Sequence, residues 1–165
     1  MTMCLYKSIL SKLGGHVDSN PEILTAYPPL QEPEDTSNEL LSLCLPIGSK
    51  ENTLIQTKYR KNTLLSYIFS VEKSEHRDDL FSFSILIDKD IDAEIYQPIV
   101  EKLIYTLKEY NLLTEELLQN YQNVIYESLN EEKDLEIEGI TINISALFKE
   151  LRKDKEKPNL KGSFF

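Results

Sequence analysis

The feature that most limits how this chain can fold is a pair of prolines, Pro28-Pro29, placed at the end of the second of two β-prone runs. Before them, Leu5, Lys7, Ile9 and Ser11 alternate with Tyr6, Ser8, Leu10 and Lys12 in a run from Cys4 to Leu13. Gly14-Gly15 frees the backbone for a turn that extends to Asn20, and Glu22 to Tyr27 forms the returning strand. Two successive residues without an N–H cannot continue a ladder, and both hold extended backbone. Pairing therefore ends at Tyr27, and the chain is thrown off the sheet after one hairpin.

Past an acidic loop, Leu30 to Asp35, Thr36 and Glu39 match a capping box. Leu40, Leu41 and Cys44 then share a face of a short helix that Pro46 and Gly48 stop. Asn52 to Tyr59 sets Leu54, Gln56 and Lys58 against Ile55, Thr57 and Tyr59, the period of a strand. Arg60-Lys61-Asn62 suits a tight turn into Thr63–Glu72, and a polar loop, Lys73 to Asp79, leads to Leu80–Ile87, where Leu80, Ser82, Ser84 and Leu86 oppose Phe81, Phe83, Ile85 and Ile87. These three strands predict an antiparallel meander at the centre of the sheet. From Asp92 to Tyr110 the apolar residues Ile95, Ile99, Val100, Leu103, Ile104 and Leu107 follow the helical period, with Pro98 at a first turn or a kink. Thr114 caps a second amphipathic helix through Leu117, Leu118, Tyr121, Val124, Ile125 and Leu129. Leu135, Ile137, Ile140 and Ile142 alternate as a late strand, and Ser145 to Arg152 reads as a last helix. The expected class is α+β, an α/β sandwich: a five-stranded antiparallel sheet, one short helix between strands 2 and 3, and two long helices after strand 5.

A chain of 165 residues with 41% hydrophobic content suits a single soluble core. Its net charge of -10 disfavours nucleic acid, which needs clustered cations, and suits a protein partner. No stretch reads as a signal peptide or a membrane span, so a cytoplasmic location is expected. Cys4 and Cys44 lie in apolar runs without paired spacing and read as reduced core residues. Lys149 to Lys161 carries six basic and three acidic residues, a +3 tail that can fold onto its acidic body or make peripheral contact with an anionic membrane surface.

Catalytic chemistry finds little support. His16 lies in a turn and His76 in a charged loop, neither with a partner visible in sequence. Neither a G-x-x-x-x-G-K-[ST] loop nor G-x-G-x-x-G occurs, and no serine sits in a G-x-S-x-G elbow. Asp88, Asp90 and Asp92 imitate the start of a calcium loop, yet the glycine position falls on Ala93 and the bidentate glutamate position on Ile99. Helix capping accounts better for these aspartates. Adjacent pairs such as Glu115-Glu116 and Glu131-Glu132 diverge on a helix. No catalytic residue, metal site or cofactor is expected, and the chain is read as a non-enzyme.

The order of elements resembles the longin domain over about Met3 to Glu132, which sets a domain at 1–132 and a C-terminal extension at 133–165. Within longins it is most similar to the variety that opens DENN-module and folliculin-type proteins. There a strand exits through a Tyr-Pro-Pro-like motif, here Tyr27-Pro28-Pro29, and a short helix ends in a Leu-x-Leu-Pro-like motif, here Leu43-Cys44-Leu45-Pro46. Where that family has a glycine-proline pair in the first hairpin, this chain has Gly14-Gly15, and no catalytic DENN portion follows within these residues. The Lys, Ile, Asn and Glu bias without Trp suits an AT-rich genome, as in an archaeon related to eukaryotes. The resemblance implies a longin, profilin-like platform that binds a small GTPase, or that forms a homodimer or heterodimer with another longin or a roadblock domain, in vesicle traffic and GTPase control. The residues expected to meet the partner are Leu43 on the short helix and Leu54, Gln56 and Lys58 on the next strand. The alternative is a small ligand-binding domain or enzyme with its site under the helices.

Overall fold

The computed structural model describes residues 4–15, 19–31, 34–71 and 78–156. Strands β1 (Leu5–Leu13), β2 (Glu22–Tyr27), β3 (Thr53–Tyr59), β4 (Asn62–Val71) and β5 (Asp79–Ile87) form one antiparallel sheet in the order β2-β1-β5-β4-β3, in an α+β fold. The meander is present, but it is not the centre. β1 pairs with β5, so β5 becomes the middle strand and β3 an edge. The side chains explain the choice: β5 is almost wholly buried on both faces, whereas β3 carries the exposed Gln56 and Lys58.

The strand period divides the sheet into two unlike faces. On one, Leu65 and Phe69 of β4 and Phe81, Phe83, Ile85 and Ile87 of β5 join the main apolar cluster. Helices α2 (Tyr96–Glu109) and α3 (Glu115–Glu131) cover it with Ile99, Val100, Leu103, Leu107, Leu118, Ile125 and Leu129. On the other face, Ile9, Tyr59, Leu64 and Leu86 meet Leu40 and Cys44 of a single short helix, α1 (Glu34–Cys44). The middle of that face is lined with small hydroxyls: Ser11 lies opposite Ser82, and Ser66 opposite Ser84. The Ser66 and Ser84 hydroxyls lie 2.7 Å apart. Ser82 donates to the Cys44 carbonyl at 2.5 Å, serving a last-turn acceptor that has no donor within the helix. A platform of small side chains brings the helix end close enough for that bond.

α1 begins at Glu34, two residues before the expected cap, so Thr36 is its third residue and not its N-cap. Pro46 and Gly48, at φ +83°, follow its end. A 3-10 turn, Ala93–Ile95, precedes α2, and the Asp92 carboxylate caps it by accepting from the Glu94 N–H at 3.0 Å. Pro98 is the third residue of α2, inside the first turn, where a missing N–H leaves no intrahelical bond unmade. Thr114 caps α3, its Oγ1 accepting from the Leu117 N–H at 3.1 Å.

The late alternating stretch does not join the sheet as one strand. It folds on itself as β6 (Leu135–Ile137) and β7 (Ile140–Ile142), a separate hairpin turning through Glu138 and Gly139, both at positive φ. A two-residue turn with both residues left-handed is the tightest reversal available, and it uses up the apolar run on its own partner. Helix α4 (Ser145–Glu156) follows and runs a turn past the expected Arg152. Leu135, Ile137, Ile142, Ile144 and Phe148 all enter the main cluster, with Phe148 edge-on to Tyr96 at 5.4 Å. Arg152 pairs with Glu132 at 2.6 Å, and Lys155 with Glu94 at 2.7 Å and Asp92 at 3.2 Å. This part of the basic tail therefore lies on the acidic body. Residues 157–165 lie outside the described residues. Among the described residues no helix is long and apolar enough to cross a membrane.

Candidate functional site

The region that could receive a partner is built around β3. The strand is joined to β4 by a two-residue turn in which Arg60 and Lys61 both have positive φ, +48° and +75°. Tyr59 and Asn62 are the closing pair. In such a hairpin the closing pair exchanges both backbone hydrogen bonds, and bonded and non-bonded pairs then alternate. Tyr59, Thr57 and Ile55 consequently point their backbone groups at β4. Leu54, Gln56 and Lys58, paired with Tyr67, Leu65 and Thr63, point theirs away from the sheet. Asn52, at φ +61°, opens the strand with its N–H bonded to the Ile68 carbonyl at 2.7 Å. Among the described residues β3 has no strand on its outer side.

The side chains of the same strand alternate between faces. Tyr59 is buried on the α1 side, with the Arg60 guanidinium over its ring at 5.3 Å. Leu54 is half-buried against the main cluster on the α2 side, and there the Gln56 side-chain Oε1 accepts from Gln97 Nε2 of α2 at 3.0 Å. Lys58 is exposed. Leu43, half-buried, packs on the α1 cluster. Of the four residues expected at an interface, three thus share one strand edge, while Leu43 lies across the sheet from them.

Two adjoining cavities lie on the α2 side near the start of β3. The first, about 390 Å³, is walled by Asn52, Tyr67, Phe69, Ile104, Tyr105 and Leu113. The second, about 480 Å³, shares Asn52, Ser70, Lys108 and Leu113 with it and adds Asp78 and Asn111. Tyr105 was legible as a residue outside the α2 apolar stripe, and it is exposed. Tyr67 was not, because alternation alone puts it on a buried face; burial, helped by the nearby Glu101 charge, pushes its phenol up.

Charged groups elsewhere act as pins. Lys12 Nζ bonds Glu115 at 2.7 Å and lies 3.5 Å from the buried Asp79, which also accepts from the Gly15 N–H at 3.0 Å. These bonds tie the first hairpin to β5 and to the start of α3, and the Glu115 carboxylate holds the Lys12 ammonium pKa up. Asp88 accepts from the Asp90 N–H and from the Tyr6 hydroxyl, which lowers its pKa. With Asp92 at the 3-10 turn, these aspartates serve local backbone and capping, and among the described residues no group of three His, Cys, Asp or Glu is placed to hold a metal ion. Cys4 and Cys44 are free, and burial pushes the Cys44 thiol up to about 11 against the opposing hydroxyls of Ser84 and Ser11. His16 and His76 lie outside the described residues. Compared with protein-family models and with curated proteins, the sequence matches none.

Proposed function

We propose that this chain is a non-catalytic protein-interaction module of longin type, a platform for a small GTPase or for pairing with another longin or a roadblock domain in trafficking-like or GTPase regulation. The observation that carries the reading is the open β3 edge, where the backbone groups of Leu54, Gln56 and Lys58 face outward beside a half-buried leucine. Exposed edges of this kind are standard docking surfaces. The strand and helix order that carried the resemblance supports it further, as does the interior between sheet and helices, which is filled by aliphatic and aromatic side chains. Light scattering on the purified chain, together with pull-down of small GTPases loaded with GDP or with a GTP analogue, tests the reading. A complex with a GTPase or with a longin or roadblock protein is expected. A chain that stays monomeric and retains no such partner in either nucleotide state overturns it.

The adjoining cavities favour a second reading, a small-ligand site walled by Tyr67, Tyr105 and Lys108. A fragment screen by NMR that shifts resonances of these residues saturably would support this over the first, and unchanged spectra would remove it.

A further inference from the structure

We infer that the β3 edge accepts an added strand from an acidic, extended segment of a partner protein. This rests on the interaction-module reading and names the partner's chemistry. Residues 50–62, which comprise β3 and its flanks, hold four basic residues and one acidic, a net +3 in a chain whose total is -10. The four, Lys50, Lys58, Arg60 and Lys61, are all exposed. The single acid, Glu51, accepts from the Ser70 hydroxyl. The edge is thus a positive strip on a negative molecule. Its outward N–H and C=O groups at Leu54, Gln56 and Lys58 match the spacing of one added strand.

Basic edge residues also protect against self-pairing, and here that protection selects the occupant. Two copies paired antiparallel about Gln56 would double the positive charge along the joint, so a second copy is a poor occupant. An acidic strand gains from the same field. Lysines alone would account for protection without docking, but the α2 side of this edge also offers the half-buried Leu54 and the cavity beside Asn52, walled by Tyr67, Phe69, Ile104 and Leu113. An added strand presents alternate side chains to the two faces. Leu54 and Lys58 share one face, so acidic residues would lie at the end of the edge that carries Lys58, Arg60 and Lys61, and apolar ones at the Leu54 end, toward the cavity.

The probe is a fluorescein-labelled peptide of about ten residues, Glu over the half that meets Lys58 to Lys61 and Val over the half beside Leu54, long enough to cover a strand of this length. Fluorescence anisotropy should show saturable binding to the full chain that weakens as salt rises, with amide shifts at Leu54, Gln56 and Lys58. The Lys58→Glu/Lys61→Glu variant should bind it about tenfold or more weakly and should instead bind the peptide with Lys in place of Glu. Gln56→Pro removes an outward N–H and should abolish binding. Should that variant fail to fold, two Glu-Val peptides are N-methylated at alternate residues, one in each of the two sets, and the one methylated on the set that faces β3 should fail to bind the unaltered chain. The inference is overturned if the Lys peptide binds the unaltered chain as well as the Glu peptide, if N-methylation changes nothing, or if the three amides do not shift. Capture of a GTPase or longin partner that survives Lys58→Glu/Lys61→Glu, with no binding of the Glu peptide, overturns this inference and leaves the module reading standing. If the unaltered chain neither captures such a partner nor binds the Glu peptide, both are overturned.

Discussion

The two edges of the sheet are finished in different ways. β2 ends at Tyr27, followed by Pro28 and Pro29, and is overlaid by α3. Gln122 of α3, buried, donates to the Ser8 carbonyl at 3.1 Å and to the Thr25 carbonyl at 3.4 Å. Tyr126 donates to the Leu5 carbonyl at 2.7 Å and packs edge-on to Tyr27 at 5.5 Å, and Lys7 reaches the carbonyls of Pro28 and Pro29 at 3.1 and 3.0 Å. β3 has Tyr59 to hold it from the α1 side, while on the other face it meets α2 through Leu54 and the Gln56–Gln97 bond. One edge strand is closed over on its α3 face by packing and directed hydrogen bonds; the other carries charge along its edge. Charge excludes partners of the wrong sign, so the β3 edge is the one that can discriminate.

The largest effect that could break this contrast belongs to the closed edge. Tyr126→Ala removes a buried ring and its carbonyl partner, and should cost about 3–5 kcal/mol in denaturant unfolding. A loss no larger than that of a surface substitution would show that α3 does not hold β2. Alkaline pH tests α1, which underlies the sheet from Ile9 of β1 to Tyr59 of β3. The Cys44 thiol titrates at about 11 in the folded chain against 9.0 for an unburied thiol. A pKa raised by folding stabilises fully below the unfolded value, and that stability is lost as pH rises through the folded one. Stability should therefore fall by about 2–3 kcal/mol between roughly pH 9 and 11 on account of this group. The raised tyrosines, Tyr67 and Tyr126 among them, act in the same direction, so Cys44→Ala should flatten the slope only in part. An unchanged slope in that variant would contradict the burial of the thiol as the cause. Gln122→Ala should cost about 1–2 kcal/mol, by leaving backbone acceptors of β1 and β2 without this donor. A neutral result would mean that β2 is closed by apolar contact alone. Smallest of all, Gln56→Pro should change stability by less than about 1 kcal/mol, because its N–H points away from β4. A loss comparable to that of Tyr126→Ala would place this N–H inside the ladder and reverse the assignment of the open edge.

Much of the fold could be read from local pattern. β2 ends at Tyr27 where the prolines predict it, Thr114 caps α3, Pro98 falls in a first turn, and the alternation of Phe81, Phe83, Ile85 and Ile87 against Ser82 and Ser84 separates the two faces correctly. Each depends on one residue type acting on its own neighbours. The misreadings share a different cause. Thr36 matched a cap motif, but a two-residue match does not set where a helix starts, and α1 begins at Glu34. Leu135 to Ile142 has the period of a strand, and period cannot say whether the partner is the sheet or the next residues along the chain. At the candidate site, the sequence put Leu54, Gln56 and Lys58 on one side of one strand. It could not tell that this strand would be outermost, or that Leu43 would pack on the opposite face.

Three things were therefore determined by the sequence alone: the kind and order of the main elements from β1 to α3, which side chains share a face of a strand, and the charge along β3, because these follow from backbone restriction, periodicity and composition at short range. The tertiary structure decided that β1 would insert beside β5 and make β3 an edge, that a row of serines would let α1 seat its last carbonyl on Ser82, and that residues 135–148 would complete the main core. Those outcomes depend on which buried surfaces best exclude water from one another across the whole chain, a competition among distant segments that no local pattern encodes.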